Sequence, residues 1–353
     1  VNSTVPTIVL GGTGYVAGEL LRLILGHPQL KLAALLSDSQ PGAPVGQAFP
    51  HLAAACGDLV FSSQQQVEAV LQTTARPALF GAAPHGASAP LIDKLLRVAE
   101  VAGNRPAVVD ISADFRYRDA AQYQAVYGHP HGAPARLAQF TCAVPEHLAA
   151  AGTEHVAHPG CFATATLLAA VPLLALGLSE PQLYVAAITG STGSGRKPTD
   201  GTHHPLRHSD LYAYNPLTHR HVAEICAGVQ AAAGVAAQLA FVPHSGPFAR
   251  GIHATVQAVL KKPQSTEQLN AKLRAFYAHS PFVRVLDAPP RIKDVAGSNY
   301  AQLHCASDGR TVAVLSVLDN LNKGAAGGAM QWMNRLLGLA ETAGLTAPAA
   351  GWT

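Results

Sequence analysis

The feature that most limits what this chain can become is a glycine-rich turn set between an apolar run and a helical pattern. Ile8, Val9 and Leu10 give a β-branched strand signal, and Gly11-Gly12-Thr13-Gly14-Tyr15-Val16-Ala17-Gly18 follows at once. Leu20, Leu21, Leu23 and Ile24 then fall on one side of a helix, and residues 30–36 read as a second strand. Strand, turn, helix and strand make a βαβ unit, which commits this part of the chain to a parallel sheet, since parallel neighbours need a crossover. Glycines at the first such junction let backbone N–H groups and a helix N-terminus approach a pyrophosphate. Gly11, Thr13, Gly14, Tyr15 and Val16 are therefore candidate dinucleotide contacts. At the end of the second strand Asp38 stands among Ser37, Ser39 and Gln40. An acid there suits a ribose hydroxyl and the serines suit a 2′-phosphate, so the residues leave NAD and NADP open.

Further strand runs at residues 78–81 and 107–111, with a helical pattern at 90–101 between them, extend the alternation. After about residue 160 the pattern changes. Residues 161–176 read as a buried helix, and strands follow at 184–189, 238–242, 251–260, 300–305 and 311–318. Ser307-Asp308-Gly309 joins the last two as a hairpin. A helix at 266–277 has Ser265 or Thr266 as N-cap, and residues 324–339 are helical again. The expected fold is α/β, a Rossmann-type parallel-sheet domain with an inserted α+β, mainly antiparallel second domain. The expected bounds are 1–160 plus 321–353 for the first and 161–320 for the second.

Composition narrows the function classes. The chain has 353 residues, 48% of them hydrophobic, enough for two cores. Lys and Arg number 24 against 21 Asp and Glu, a net charge of +3 with no block of like charge. That excludes a strongly basic nucleic-acid binder or membrane-surface binder. Apolar runs are broken well before the length of a membrane span, and residues 1–6 carry no basic leader pattern. Five cysteines without CxxC spacing point to free thiols in a reducing compartment, the cytoplasm, and to no metal ribbon.

Besides the glycine turn, three groups of residues can carry chemistry. Pro159-Gly160 delivers Cys161 to the start of a long helix, whose N-terminus favours the nucleophilic thiolate. The stretch from Thr189 to Glu224 is too long and too rich in Gly, His and Arg for an idle connection. In it His219 and His221 lie on one side of an extended segment with Arg220 opposite, so that either imidazole can serve as acid and base while Glu224 orients it. The arginines among these histidines argue against a metal site. Arg116 and Arg250 each follow a strand or loop end and suit a carboxylate or phosphate. With Ser112, Ser194, Arg196, Arg220 and His244 they form the candidate substrate set.

Taken in order, GGTGYVAGEL from Gly11, APHG from Ala83, DISADFR from Asp110, HPGCFATA from His158, GSGRK from Gly193, HRHVAEI from His219, ARGI from Ala249 and NLNKGAAGGAMQ from Asn320 resemble the N-acetyl-gamma-glutamyl-phosphate reductases. The resemblance runs from about residue 7 to 340. It implies reduction of an acyl phosphate to N-acetylglutamate 5-semialdehyde with NADPH, releasing phosphate, in arginine biosynthesis. It also implies that Cys161 is the nucleophile and that His219, His221 and Glu224 are catalytic. Pro84, Gly86, Asn320, Lys323 and Gly324 are implied to join the glycine turn and Ser37 and Ser39 around NADP. The second domain would be catalytic and oligomerising, the substrate would lie between the domains, and the enzyme would be a homodimer or homotetramer. The alternative within the same superfamily is the lysine-pathway reductase of a carrier-protein-linked aminoadipyl phosphate, which needs a basic rim that Arg196, Lys197, Arg207 and Arg220 supply only thinly. A nucleotide sensor on the same fold would have no use for an activated Cys161.

Overall fold

The computed structural model describes residues 4–351. They fall into two compact units. The first holds the described residues up to Cys142 with Ala150–His158 and Ala326–Thr346, and the second holds Ala143–Ala149, Pro159–Ala325 and the described residues from Ala347 onward.

The first unit is built on β1 (Val5–Leu10), β2 (Leu30–Leu35), β3 (Ala78–Gly81), β4 (Ala107–Asp110), β5 (Phe140–Cys142) and β6 (His155–Ala157). Every pairing is parallel, in the order β2-β1-β3-β4-β6-β5. Helices Tyr15–Leu25, Gln64–Thr73 and Ser88–Val101 make the crossovers, and Gly327–Leu336 returns to pack against β4. β3 and β4 are buried at every residue, as strands covered on both faces must be. The strand order reverses between β1 and β3, and the turns after those two strands meet there. Gly11 has φ +79°, and a Cβ on it would stand 2.4 Å from the Ala82 carbonyl oxygen, so this junction admits only glycine.

The second unit carries β7 (Gln182–Thr189), β8 (Tyr212–Ala213), β9 (Gln238–Ser245), β10 (Ile252–Val259), β11 (Val283–Val285), β12 (Ala301–Ser307) and β13 (Thr311–Leu318). Their order is β11-β12-β13-β10-β7-β9-β8. Antiparallel pairs dominate, with β7–β9 and β11–β12 parallel. The β12–β13 hairpin closes on Asp308, whose carboxylate accepts the Arg310 and Thr311 N–H groups, and on Gly309 at φ +91°. Helix Thr266–Phe276 begins at Ser265, which caps it in a reciprocal box with Gln268.

One face of this sheet is covered by helix Cys161–Ala175, which is apolar nearly all round and buried accordingly. Pro172 removes one N–H from its last turns, freeing the Leu168 carbonyl. The Tyr277 hydroxyl donates to that oxygen at 2.7 Å and accepts from His147 Nε2 at 3.0 Å. A residue near the end of the Thr266 helix thus repairs the Cys161 helix. The other sheet face is more open, with Tyr184 54% and Val259 42% exposed. The chain then turns through a π-helical segment, Asn322–Ala326, before Gly327–Leu336.

Candidate active site

Cys161 is the first residue of its helix, half buried, with Gly160 as N-cap in extended conformation. No side chain caps the helix in the usual way. Instead the Gly160 N–H donates to Glu224 Oε1 at 2.6 Å. Glu224 is buried in the first turn of helix His221–Ala233, so its carboxylate fixes the N-terminal turn that carries the sulfur. Its other oxygen, Oε2, is 3.9 Å from His221 Nε2, a close ionic approach longer than a hydrogen bond.

Just before that helix His219 is buried with its ring centroid 4.7 Å from that of His221. Phe162, Tyr214 and Phe241 surround it at 5.9, 5.6 and 5.5 Å. His219 Nδ1 accepts the His221 backbone N–H at 3.2 Å, which puts the proton of the neutral ring on Nε2. Burial, with a smaller push from the Arg220 charge, lowers its pKa to about 4. His219 is therefore an uncharged donor near neutral pH. Burial and the neighbouring Cys161 sulfur hold the Tyr214 phenol well above its ordinary range.

These groups line a cavity of about 440 Å³ in the second unit. Cys161, Phe162, His219, Arg220 and His221 line it together, Tyr214, Asn215 and Thr218 come from the long loop, and Thr189, Gly193, Ser194 and Ser245 complete it from the ends of β7 and β9 and the turn after β7. Against Cys161 packs Gly324, where a Cβ would be 2.8 Å from Cys161 Cβ and 3.2 Å from Cys161 Cα. The π-helical segment, a conformation that often marks functional sites, places that glycine.

The structure thus brings together Cys161, Ser194, His219, Arg220 and His221, with Glu224 behind them. Of the other candidate substrate residues in the same unit, Arg196, His244 and Arg250 do not line this cavity. His244 precedes the pocket-lining Ser245 on β9 and so lies on the opposite sheet face. Arg250 makes a two-pronged pair with buried Asp319 at 2.9 and 3.1 Å. Arg196 is exposed. Ser112 and Arg116 belong to the first unit, where the Ser112 hydroxyl donates to Asp110 at 2.6 Å and Arg116 donates to the His158 and Ile111 carbonyls. Tyr214, Thr189 and Ser245 were not singled out from the sequence, because each is an ordinary loop or strand-end residue until the fold closes.

The residues expected to hold a dinucleotide divide between the units. Gly14 is the extended N-cap of helix Tyr15–Leu25, without a side-chain cap, and a Cβ there would meet little. An open, uncapped helix start beside the tight Gly11 turn fits a pyrophosphate. The Ser37 hydroxyl is 3.4 Å from that of Ser39 and accepts the Gln40 N–H. Gly86, at φ +82°, donates its N–H to Asp114, and Pro84 closes the same turn through the Ala87 N–H. Lys323 differs from expectation. Its ammonium is 0% exposed and paired with buried Glu146 at 2.6 Å, so it anchors its segment within the second unit instead of reaching outward. Asn320 likewise braces backbone, accepting the Gly251 N–H and donating to Thr192.

Residues 7–140 match the family model described as "Semialdehyde dehydrogenase, NAD binding domain", and residues 161–320 match "Semialdehyde dehydrogenase, dimerisation domain". The N-acetyl-gamma-glutamyl-phosphate reductase of Ectopseudomonas mendocina is 40% identical over 345 residues, 96% of this chain and 97% of that protein. The chain belongs to the N-acetyl-gamma-glutamyl-phosphate reductase family. The protein of that name from Nitrosococcus oceani is 38% identical, with 96% of each chain covered. As a member of this family the chain is an oxidoreductase of semialdehyde dehydrogenase type. Among solved structures, aspartate semialdehyde dehydrogenase II from Vibrio cholerae has a TM-score of 0.67 at 16% identity, covering 95% of this chain and 98% of that one. A probable aspartate-semialdehyde dehydrogenase from Pseudomonas aeruginosa gives 0.65 at 18%, covering 95% and 99%. At those identities the likeness concerns the fold, and it bears out the parallel sheet joined to a mixed, mainly antiparallel one.

Proposed function

We propose that this family member reduces N-acetyl-gamma-glutamyl phosphate to N-acetylglutamate 5-semialdehyde and phosphate in arginine biosynthesis. The observation that carries the reading is the placing of Cys161, at a helix N-terminus, in one cavity with His219 and His221. The Cys161 thiolate attacks the carbonyl carbon bearing phosphate, the C–O bond to phosphate breaks, and a thioester remains. A nicotinamide dinucleotide, when bound, supplies the hydride that reduces this thioester. His221 gives a proton to the resulting oxyanion and takes it back as the C–S bond breaks, freeing the aldehyde and regenerating the thiolate. His221 takes this part because His219, buried and uncharged with its proton on Nε2, is suited to donate a hydrogen bond without giving up charge. Glu224, close to His221 Nε2 and bonded to the Gly160 N–H, positions acid and nucleophile together.

NADP is the proposed dinucleotide, with the paired hydroxyls of Ser37 and Ser39 as the groups facing a 2′-phosphate. A homodimer or homotetramer is the proposed assembly, supported by the match of residues 161–320 to a dimerisation domain and by the open apolar positions Tyr184 and Val259. The five cysteines, none of them in a disulfide, accord with a cytoplasmic enzyme. The decisive assay runs in the oxidising direction with N-acetylglutamate semialdehyde, phosphate and NADP, reading nicotinamide reduction. Wild type should turn over, Cys161→Ser should lose nearly all activity, and mass spectrometry of enzyme stalled without phosphate should find the acyl group on Cys161. Acylation at another residue, or activity that survives Cys161→Ser, would overturn the mechanism.

A further inference from the structure

The cavity beside Cys161 has an uneven charge that its chemistry at the sulfur does not explain. Of the described side chains that line it, Arg220 alone carries a full charge at every working pH, and none of them is a carboxylate. Glu224 is turned inward to the Gly160 N–H. His219 is held uncharged and cannot serve as a second counter-ion. Arg220 is exposed, whereas Cys161 is half buried and His219 and His221 are buried. The charge therefore stands at the rim and the reacting carbon binds deeper. The Arg220 backbone is set there as the N-cap residue of helix His221–Ala233, between the two imidazoles in sequence.

A reactant attacked by Cys161 must place its acyl phosphate within bonding distance of that sulfur. A second anionic group on the reactant, several bonds from the attacked carbon, would fall toward the rim. Guanidinium is suited to hold such a group in place, because its planar fork meets both oxygens of a carboxylate. Resting on the reaction proposed above, we infer that Arg220 is a specificity-determining residue that reads the carboxylate at the non-reacting end of the substrate. Thr218 and Asn215, which line the same cavity, offer it neutral polar company.

The test compares two aldehydes in the oxidising direction: N-acetylglutamate semialdehyde and the acetamido-aldehyde of the same length that lacks the carboxylate. A charge-assisted hydrogen bond contributes about 1.5–3 kcal/mol, so wild type should prefer the carboxylate-bearing aldehyde in kcat/KM by roughly 10- to 150-fold. In Arg220→Gln the ratio between the two aldehydes should collapse toward unity, most of the change falling on KM for the aldehyde, and Arg220→Lys should restore part of it. Because the measure is a ratio within one variant, a general loss of activity does not imitate the result. A preference kept at the wild-type value in Arg220→Gln overturns the inference, and a rise confined to KM for phosphate assigns the guanidinium to the leaving group instead. Equal use of both aldehydes by wild type also overturns it while leaving the reaction itself standing. Failure of wild type to oxidise either aldehyde overturns the reaction and the inference together.

Discussion

Gly324→Ala should damage this enzyme through Cys161, the proposed nucleophile. The added Cβ would lie 2.8 Å from Cys161 Cβ, 3.2 Å from Cys161 Cα and 3.3 Å from a Leu318 methyl. Carbon atoms in contact rest at about 3.5–4.0 Å, so the nearest pair must part by roughly 1 Å. Leu318 can yield by turning its side chain. Cys161 cannot, because the Gly160 N–H is tied to Glu224 at 2.6 Å and the Gly160 carbonyl accepts the Thr164 N–H at 2.7 Å. Segment 319–324 is equally held, through Asp319 to Arg250 and through Lys323 to Glu146. The strain is shared between two braced backbones. Overpacking of this kind costs about 1–3 kcal/mol of stability, and a 1 Å displacement of a reacting group costs on the order of 10²-fold in rate. Steady-state kcat/KM should thus fall by about that factor, alkylation of Cys161 by iodoacetamide should change in rate, and the urea midpoint should drop. Wild-type kcat/KM with wild-type alkylation would refute the close approach of Gly324 to the sulfur.

Three other perturbations test separate parts of the site. Glu224→Gln keeps an acceptor for the Gly160 N–H but removes the charge beside His221, so activity should fall with little change in melting temperature; Glu224→Ala also orphans the N–H and should lose about 1–3 kcal/mol more stability. Equal stability of the two variants would count against the capping role. As pH falls, the unfolded chain takes up its His219 proton near the ordinary 6.5 while the native ring resists to about 4, so stability contributed by the neutral ring declines across that interval, by at most about 3 kcal/mol. His219→Gln should flatten the decline measured by denaturant titration between those pH values, and an unchanged slope would contradict the burial argument. Tyr277→Phe strips the Leu168 carbonyl of its donor and His147 of its acceptor, and should lower stability by about 1–3 kcal/mol in urea; a neutral effect would mean that the proline-freed carbonyl needs no donor.

The elements that the sequence made legible are those whose signals are local. Residues 78–81 and 311–318 are strands as read, and the Asp308-Gly309 hairpin and the Ser265 cap declare themselves within a few residues. β5 and β6, of three residues each, carry too short a pattern to announce a strand, and sheet contacts alone define them. Cys161 was legible because Pro-Gly before an apolar helix is likewise a local statement. The arginines were read from the chemistry they could do in isolation, and the lysine was placed by the family resemblance alone. Arg250 is engaged by Asp319, 69 positions on, and Lys323 by Glu146, 177 positions back. A cation's partner decides whether it binds a ligand or braces the chain, and local spacing carries no record of a partner so far away.

Glycine makes the same point from the other side. Gly11 and Gly324 were both placed near the dinucleotide, and at both the structure leaves no room for a side chain, but against different neighbours. At Gly11 the neighbour is the Ala82 carbonyl, across the junction of β1 and β3, so the glycine lets two strand ends meet as a nucleotide-binding turn requires. At Gly324 the neighbour is Cys161 itself, and what the missing side chain permits is the seating of the proposed nucleophile. The residue type states that something comes close. What comes close depends on a contact spanning 163 positions (324 less 161), which only the closed sheet of the second unit, the buried Lys323–Glu146 pair and the Glu224 brace bring into being.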